Sequence, residues 1–119
     1  MEKGTILLVD DDEMSSQILS FILMDEGYNV DVAATGEAGL EKVSNKKYNL
    51  VFLDFILPDL KGHETASRMK QVCPDLKIVL LTGFSMNSDE VPVEVRYERI
   101  LQKPVPPELI IKTISECLL

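Results

Sequence analysis

The sequence predicts an α/β fold, a three-layer sandwich in which helices cover both faces of a five-stranded parallel sheet of order 2-1-3-4-5. Short apolar runs alternate with amphipathic segments along the chain, which is typical of strand–helix–strand units. Three of the runs are nearly continuous in valine, isoleucine and leucine, as expected of parallel strands that are covered on both faces.

The five predicted strands lie at 5–10, 29–34, 49–54, 77–82 and 99–104. The second strand alternates polar and apolar residues and the fifth is short, so we assign both to the edges of the sheet. Edge positions for these two strands fit the order 2-1-3-4-5, with right-handed crossovers between successive parallel strands.

Four helices are predicted from spacing and end signals, at 14–26, 36–44, 63–72 and 107–118. Gly27 is a stop for the first of them, Thr35 is a suitable N-cap for the second, and Pro107 suits the first turn of the last. In the first helix the residues at helical spacing that we expect to face the sheet are Ile18, Leu19, Ile22 and Leu23.

The fourth crossover, residues 85–98, is the weakest part of the pattern. Pro92 lies near its centre, and a proline in a helix interior costs about 3 kcal/mol. We therefore expect a short or irregular fourth helix there.

Length and composition indicate one domain, residues 1–119, with a core large enough to need no structural metal or disulfide. The net charge of −8 argues against direct binding to nucleic acid or to an anionic membrane and suits a protein that binds cations. Cys73 and Cys117 lack CxxC spacing and are expected to be reduced, packed thiols. No run is long enough to span a membrane and no signal peptide is evident, so we expect a cytoplasmic protein.

Reactive side chains stand at the ends of four predicted strands. Asp10 and Asp11 stand at the end of the first, Asp54 ends the third, Thr82 ends the fourth and Lys103 stands at the end of the fifth. Ligands of open parallel sheets bind outside the carboxyl ends of the strands, where the strand order reverses. Because the first and third strands are neighbours at that point, the three aspartates should crowd together, with the other two residues arriving from the next strands.

This set of groups suits a hard cation and phosphate chemistry. Mg²⁺ takes carboxylate oxygens and phosphate oxygens, whereas the absence of histidine and cysteine from the set makes zinc unsuitable. Lys103 can neutralise a phosphate as a point charge, and Thr82 offers one hydroxyl donor. A carboxylate of this kind is equipped to attack phosphorus, and the product would be an aspartyl phosphate.

Other polar and aromatic residues have simpler interpretations. Asp12 is expected to be a helix cap or turn residue, and His63 a solvated surface histidine. The aromatic residues Phe21, Phe52, Phe55 and Tyr28 are expected to pack in or near the core. No GxGxxG or GxxxxGK[ST] loop is present, so the sequence does not support nucleotide binding by those motifs.

Four motifs together resemble the receiver domain of two-component response regulators. They are LLVDDDE near the N-terminus, DFILPDLKG around Asp54, LTGFS at 81–85 and QKPVPPE at 102–108. The resemblance covers essentially the whole chain and implies a flavodoxin-like fold.

The resemblance also implies a role for each candidate site residue. Asp54 would be the phospho-acceptor, and Asp10 and Asp11 would form the acidic pocket. Mg²⁺ would be held there, with Asp11, Asp54 and the backbone carbonyl of Ile56 as contacts. Thr82 would be the switch hydroxyl, and Lys103 would bind the phosphate and precede a cis peptide bond to Pro104.

Further implications of the resemblance concern partners and activity. The phosphoryl donor would be a phosphohistidine on a sensor histidine kinase or phosphotransfer protein, and a downstream effector domain or protein would read the result. Such a domain is not an enzyme in the ordinary sense, since it catalyses only its own phosphorylation and slow dephosphorylation.

Two departures from the family pattern leave other functions open. Ile100 occupies the place, three residues before Lys103, where the family usually has an aromatic residue, and the fourth helix is degraded. A degenerate receiver that binds a partner regardless of phosphorylation is therefore one alternative. A Mg²⁺-dependent phosphatase with an aspartyl intermediate is another, although Ile56 stands where such enzymes commonly hold a second aspartate.

Overall fold

Five strands and four helices alternate in the described part of the chain, residues 4–83 and 95–118 of a computed structural model. In chain order they are β1 (Thr5–Val9), α1 (Glu13–Asp25), β2 (Asn29–Ala33), α2 (Gly36–Asn45), β3 (Leu50–Asp54), α3 (Gly62–Val72), β4 (Ile78–Thr82), β5 (Arg99–Gln102) and α4 (Pro107–Cys117).

The strands form one parallel sheet of order β2-β1-β3-β4-β5, which confirms the predicted α/β fold. Each element agrees with its predicted segment to within about two residues at either end. The register places Val9 opposite Leu53 and Asp54 opposite Leu81. The carboxyl ends of the three central strands therefore lie side by side.

The core has two halves, one on each face of the sheet, because successive side chains of a strand point to opposite faces. One half packs between the sheet and helices α2 and α3, and its buried residues include Leu7, Val9, Leu53, Ala66 and Met69. The other packs against α1 and α4, and its buried residues include Ile6, Leu8, Phe52, Leu23 and Ile114. This arrangement is the predicted three-layer sandwich.

The two weak strands lie at the edges of the sheet, as predicted. Only Ala33 is buried in β2 and only Leu101 in β5, whereas all five residues of β4 are buried. Ile100, at the position where an aromatic residue would be usual, is 48% exposed on β5.

The helix-end signals behave as the sequence predicts. The Asp12 carboxylate caps α1 by accepting hydrogen bonds from the N–H groups of Met14 and Ser15. The Thr35 hydroxyl oxygen accepts one from Ala38 N at 3.0 Å at the start of α2. Gly27 follows α1 with a φ of 100°, a conformation that favours glycine.

The predicted inward face of α1 is partly wrong. Leu23 is fully buried, but Ile18 is 56% exposed, and Phe21, which was expected to pack in or near the core, is 74% exposed. Because the helix lies on the sheet, only a narrow stripe of its surface reaches the core. Hydrophobic periodicity alone therefore predicts more buried residues on α1 than the structure has.

The expected short or irregular fourth helix falls mainly on residues 84–94, which lie outside the described residues. Residues 95–98 are not helical and lead directly into β5, where Glu98 N donates to Ile78 O at 2.8 Å. Within 4–83 and 95–118, no helix combines the length and apolar character that crossing a bilayer requires.

Candidate functional site

Three carboxylates meet at the carboxyl edge of the sheet. Asp10 and Asp11 follow β1, and Asp54 is the last residue of the neighbouring strand β3. Each offers an oxygen that lies within 4.8 Å of the others. Asp10 is almost fully buried and Asp11 is exposed, so the cluster opens to solvent on one side.

Lys103 reaches the same cluster from beyond β5. Its Nζ lies 3.2 Å from Asp10 Oδ2 and 3.0 Å from Asp54 Oδ2, and it donates a hydrogen bond to each. The Lys103–Pro104 peptide bond is cis, as the resemblance implies. One ammonium group thus bridges two carboxylates that are 44 residues apart in the chain.

Backbone N–H groups orient the two bridged carboxylates. Asp10 Oδ1 accepts a hydrogen bond from Asp12 N at 2.9 Å, and Asp54 Oδ1 accepts a long one from Ile56 N at 3.4 Å. In both residues the other oxygen, Oδ2, is the one that faces Lys103. These contacts fix the direction in which each carboxylate points.

Thr82 is the last residue of β4 and lies one position beyond Leu81, the residue paired with Asp54. It is buried, and its hydroxyl donates a 3.4 Å hydrogen bond to the carbonyl oxygen of Leu101. The structure therefore places Thr82 beside the cluster, with its hydroxyl bonded to the adjacent strand.

Ile56 lies in the loop that joins β3 to α3, residues 55–61. Its side chain is 69% exposed and it pairs with Lys61 in an isolated antiparallel bridge. At the end of the loop, Gly62 N donates to Phe55 O at 2.6 Å. A Cβ at Gly62 would lie 2.6 Å from Phe55 Cα and 2.8 Å from Asp54 O, so only glycine fits against the end of β3.

Asp59, in the same loop, makes contacts that no sequence pattern predicts. Its carboxylate accepts hydrogen bonds from Gly36 N at 2.8 Å and Glu37 N at 2.9 Å, the first two residues of α2. These backbone hydrogen bonds, that from Glu37 foremost, lower the pKa of Asp59. An aspartate after a proline reads as an ordinary turn residue, so no local signal reveals this contact.

The electrostatics of the cluster are dominated by excess negative charge. Burial raises the pKa of Asp54, and the charge of Asp10 adds to this, although Lys103 and the Ile56 N–H oppose both. Burial lowers the pKa of Lys103, but the hydrogen bond and charge of Asp54, together with Asp10, outweigh it and raise that pKa overall. Three carboxylates face one ammonium group, so the site favours an added cation.

The donor set fits Mg²⁺. Every candidate ligand in the cluster is an oxygen, and the one lysine leaves the negative charge only partly neutralised. Hard divalent cations prefer such oxygen ligands and tolerate a partly open site in which waters complete the coordination. The exposed Asp11 supplies that open side.

An apolar groove of about 490 Å³ adjoins the ion pair. Asp10 and Lys103 lie on its wall, and its apolar lining comes from α1, the residues after Lys103 and α4, including Ile18, Ile22, Val105 and Ile110. The exposed side chain of Ile18 thus forms part of the groove wall.

His63 differs from its predicted state. It is half-buried at the start of α3, its ring centroid lies 5.9 Å from that of Phe55, and its Nδ1 is buried without a hydrogen-bond partner in the described residues. The expectation of a solvated surface histidine was wrong because Phe55, the first residue of the loop, packs against the first turn of the helix.

Comparison with known proteins identifies the family. The model of the response regulator receiver domain matches residues 6–115. The response regulator receiver protein CpdR of Brucella abortus is 30% identical over 118 residues, which cover 96% of both chains. The transcriptional regulatory protein YkoG of Bacillus subtilis is 37% identical over 91 residues, 76% of this chain but 40% of YkoG. The chain thus spans about two-fifths of the length of YkoG.

Solved structures agree with this result. A CheY-like receiver domain from Methanospirillum hungatei matches with a TM-score of 0.90 and 34% identity, over 96% of this chain and 92% of that one. The response regulator TrrA of Thermotoga maritima, solved in complex with Mg²⁺ and BeF, matches with a TM-score of 0.88 and 30% identity, over 99% of this chain and all of TrrA. The strand order, the acidic cluster and these likenesses agree, and the chain belongs to the response regulator receiver domain family.

Proposed function

We propose that residues 1–119 form one receiver domain, in which Asp54 accepts a phosphoryl group in a Mg²⁺-dependent reaction and the domain then switches conformation to regulate an output. The observation that carries this proposal is the position of the Lys103 ammonium group between Asp10 and Asp54, beside a third carboxylate. Receiver domains bind Mg²⁺ at an acidic pocket of this kind, and the complex of the relative TrrA with Mg²⁺ and BeF supports the assignment.

The residues that would hold Mg²⁺ are Asp10, Asp11, Asp54 and the backbone carbonyl of Ile56. When bound, Mg²⁺ supplies positive charge that stabilises the oxygens of a phosphoryl group during transfer. Asp11 is the exposed carboxylate of the set, which suits exchange of the cation with solvent.

Asp54 is the nucleophile in this scheme. Its carboxylate oxygen forms a bond to phosphorus while the bond between phosphorus and the donor imidazole nitrogen breaks, and the electron pair of that bond stays on the nitrogen. Lys103 then binds an oxygen of the new acyl phosphate through the ammonium group that it already directs at Asp54. Catalysis here is mostly positioning and charge neutralisation.

Thr82 is the proposed switch residue. In the described state its hydroxyl donates to Leu101 O, a long contact of 3.4 Å. A phosphoryl group on Asp54 adds strong acceptor oxygens next to it, so the hydroxyl exchanges one acceptor for a better one. This exchange moves the end of β4.

The partners follow from the family and are proposals for this chain. The donor is a phosphohistidine on a sensor histidine kinase or phosphotransfer protein, and the output is an effector domain or a separate protein. The net charge of −8 gives no support to direct contact with nucleic acid or an anionic membrane, and we place the protein in the cytoplasm. Its only chemistry is its own phosphorylation and slow dephosphorylation.

The two alternative functions lack a specific observation in their favour. A degenerate receiver would be expected to lose part of the acidic cluster or its lysine, whereas Asp11, Asp54 and Lys103 are present and close together. An aspartyl phosphatase would need an acid or base two residues after Asp54, and Ile56 offers only an exposed apolar side chain.

The proposal is tested by incubating the protein with Mg²⁺ and acetyl phosphate and measuring its intact mass. We expect one added phosphoryl group in the wild type and in Asp12→Asn, and none in Asp54→Asn. Asp12→Asn is the matched control because the same change is made close to the cluster, at a residue whose helix-capping role asparagine can fill. No adduct on the wild type, or an adduct that persists in Asp54→Asn, would overturn the proposal.

A further inference from the structure

The loop of residues 55–61 leads into α3, but its residue Asp59 is hydrogen-bonded to the start of α2. Asp59 Oδ1 accepts a hydrogen bond from Gly36 N at 2.8 Å, and Asp59 Oδ2 accepts one from Glu37 N at 2.9 Å. Oδ1 also accepts the N–H of Leu60 at 2.9 Å, which fixes the carboxylate relative to its own loop. The first N–H groups of a helix have no partner within the helix, so a carboxylate is well suited to them.

The packing around this contact leaves little room for movement. A Cβ at Gly36 would lie 2.7 Å from Thr65 Oγ1 and 3.0 Å from Leu60 Cβ, so the start of α2 lies directly against the loop and α3. Gly36 itself is buried. The contact therefore lies beside a close junction of three elements, and the exposed Asp59 links the loop to α2 by hydrogen bonds at the edge of that junction.

The same loop carries the backbone carbonyl proposed to bind Mg²⁺. Ile56 lies at one end of the loop and is paired with Lys61 at the other. Leu57, between Ile56 and Asp59, is buried in the half of the core that faces α2 and α3. Residues on both sides of the Ile56 carbonyl are thus held in place, by β3 before it and by the Asp59 contact after it.

We propose that Asp59 is a positioning residue for the cation site, which holds the loop of residues 55–61 against α2 in the shape that presents the Ile56 carbonyl next to Asp11 and Asp54. This inference rests on the proposed function, since it concerns the Mg²⁺ site of that proposal. Asp59 does not bind the cation. Its hydrogen bonds already restrict the loop, so the loop loses less conformational entropy when the cation binds.

The proposal differs from a purely structural role. If Asp59 only capped α2, its loss would lower stability as much as the loss of any other cap of that helix and would leave cation affinity unchanged. Thr35 is the appropriate comparison, because its hydroxyl caps the next N–H of the same helix, Ala38 N at 3.0 Å, and within residues 4–83 and 95–118 it makes no hydrogen bond to the loop. Glu37 controls for charge, because Glu37→Gln also removes one negative charge at the start of α2.

The test is calorimetric titration of the full chain with MgCl₂ for the wild type, Asp59→Ala, Thr35→Ala and Glu37→Gln. We expect Asp59→Ala to weaken Mg²⁺ binding about tenfold, the low end of the effect seen when residues that orient metal ligands are lost. Thr35→Ala and Glu37→Gln should each change the dissociation constant less than about twofold, even though Thr35→Ala lowers stability by about 1 kcal/mol.

Hydrogen exchange without Mg²⁺ gives a second measurement that does not depend on phosphorylation. In Asp59→Ala the amides of residues 56–61 should exchange faster than in the wild type, whereas in Thr35→Ala the increase should be confined to α2. Equal Mg²⁺ affinity and equal loop exchange in Asp59→Ala and wild type would overturn the inference and leave the proposed function intact. A wild type that takes no phosphoryl group on Asp54 would instead refute the proposed function.

Discussion

At the scale of single residues, the main feature is a charge imbalance that the protein maintains by burial and pairing. Asp54 is largely buried beside Asp10, and Lys103 is the ammonium group that contacts both. An arrangement of this kind is costly in the absence of a cation, because each carboxylate is kept close to another. Relief of this repulsion would favour the Mg²⁺ binding that we propose for the site.

This imbalance predicts how stability depends on pH in Mg²⁺-free buffer. Burial, together with Asp10, raises the pKa of Asp54 above its ordinary value of 3.8, so the folded protein holds that proton more tightly than the unfolded chain. The Asp54 contribution to the free energy of unfolding therefore falls as the pH rises from below 3.8 through the higher folded pKa. Asparagine cannot ionise, so Asp54→Asn should be more stable than wild type at pH 7.

Urea denaturation with a chelator present checks this expectation. The advantage of Asp54→Asn should shrink as the pH approaches 3, where the wild-type carboxyl is protonated in both states. Lys103 keeps Asp10 as a partner in the variant, so the comparison does not leave the lysine unpaired. A variant that is less stable than wild type at pH 7 would contradict the prediction.

Ile56 predicts the lifetime of the phosphorylated state. Its exposed side chain lies two residues after Asp54 and has no group that can orient an attacking water by hydrogen bonding. We expect slow self-hydrolysis, and we expect Ile56→Asn to lose phosphate about tenfold faster, a change of about 1.4 kcal/mol in activation free energy. The loss of the phosphoryl group is followed by mass spectrometry after removal of acetyl phosphate, with Ile56→Leu as the apolar control. An asparagine variant as slow as the leucine variant would disprove this account.

At the scale of elements, α1 shows how little of a covering helix reaches the core. Leu23 is fully buried, while Ile18 and Phe21 on the neighbouring face are mostly exposed. Phe52 on β3, in contrast, is enclosed by the half of the core that faces α1 and α4. The two phenylalanines thus have opposite environments although both were expected to pack in or near the core.

Alanine substitutions at Phe52 and Phe21 should differ in their effect on the free energy of unfolding. Phe52→Ala should lower the free energy of unfolding by about 3–5 kcal/mol, because it leaves a cavity among packed side chains. Phe21→Ala should change it by less than about 0.5 kcal/mol, as is usual for exposed positions. Urea denaturation of both variants gives the comparison. A loss of more than about 2 kcal/mol in Phe21→Ala would show that this side chain is buried.

At the scale of the whole molecule, folding itself brings together the residues of the proposed cation site. Asp11 and Asp54 are distant in the chain and come together only because β1 and β3 pair. A ligand that binds only the folded state stabilises it in proportion to the logarithm of its concentration. The stability of the whole domain should therefore report on Mg²⁺ binding at one edge of the sheet.

Added Mg²⁺ should raise the free energy of unfolding by about 1.4 kcal/mol at ten times its dissociation constant. The measurement is thermal or urea denaturation across a MgCl₂ series, with NaCl at matched ionic strength to correct for screening of the net charge of −8. Asp11→Asn should remove most of the Mg²⁺ dependence. Equal stabilisation by both salts would show that no specific site contributes.

Much of this architecture could be predicted because it depends on local patterns. The apolar runs that end at Asp10, Asp54 and Thr82 predicted three central strands, and the edge character of the second and fifth strands predicted the sheet order, which brings those residues to one edge. The polar–apolar alternation of residues 29–34 likewise placed β2 at an edge. These features can be predicted from the sequence without knowledge of any tertiary contact.

The features that could not be predicted are contacts between distant segments. The environment of His63 depends on how Phe55 folds back, and the bonds of Asp59 depend on where α2 begins relative to a loop 22 residues later. Neither relation has a period or a motif in the sequence. The exposure of Phe21 depends in the same way on how α1 is rotated about its axis.

The close approach of Gly62 to the end of β3 limits which changes the gene can tolerate. Even alanine there would bring a methyl group against main-chain atoms of Asp54 and Phe55, and main-chain atoms, unlike a side chain, cannot rotate aside. A saturation library at this codon that is screened for folded protein, with no selection for signalling, should consequently recover almost nothing but the original residue, since every replacement pushes β3 and α3 apart.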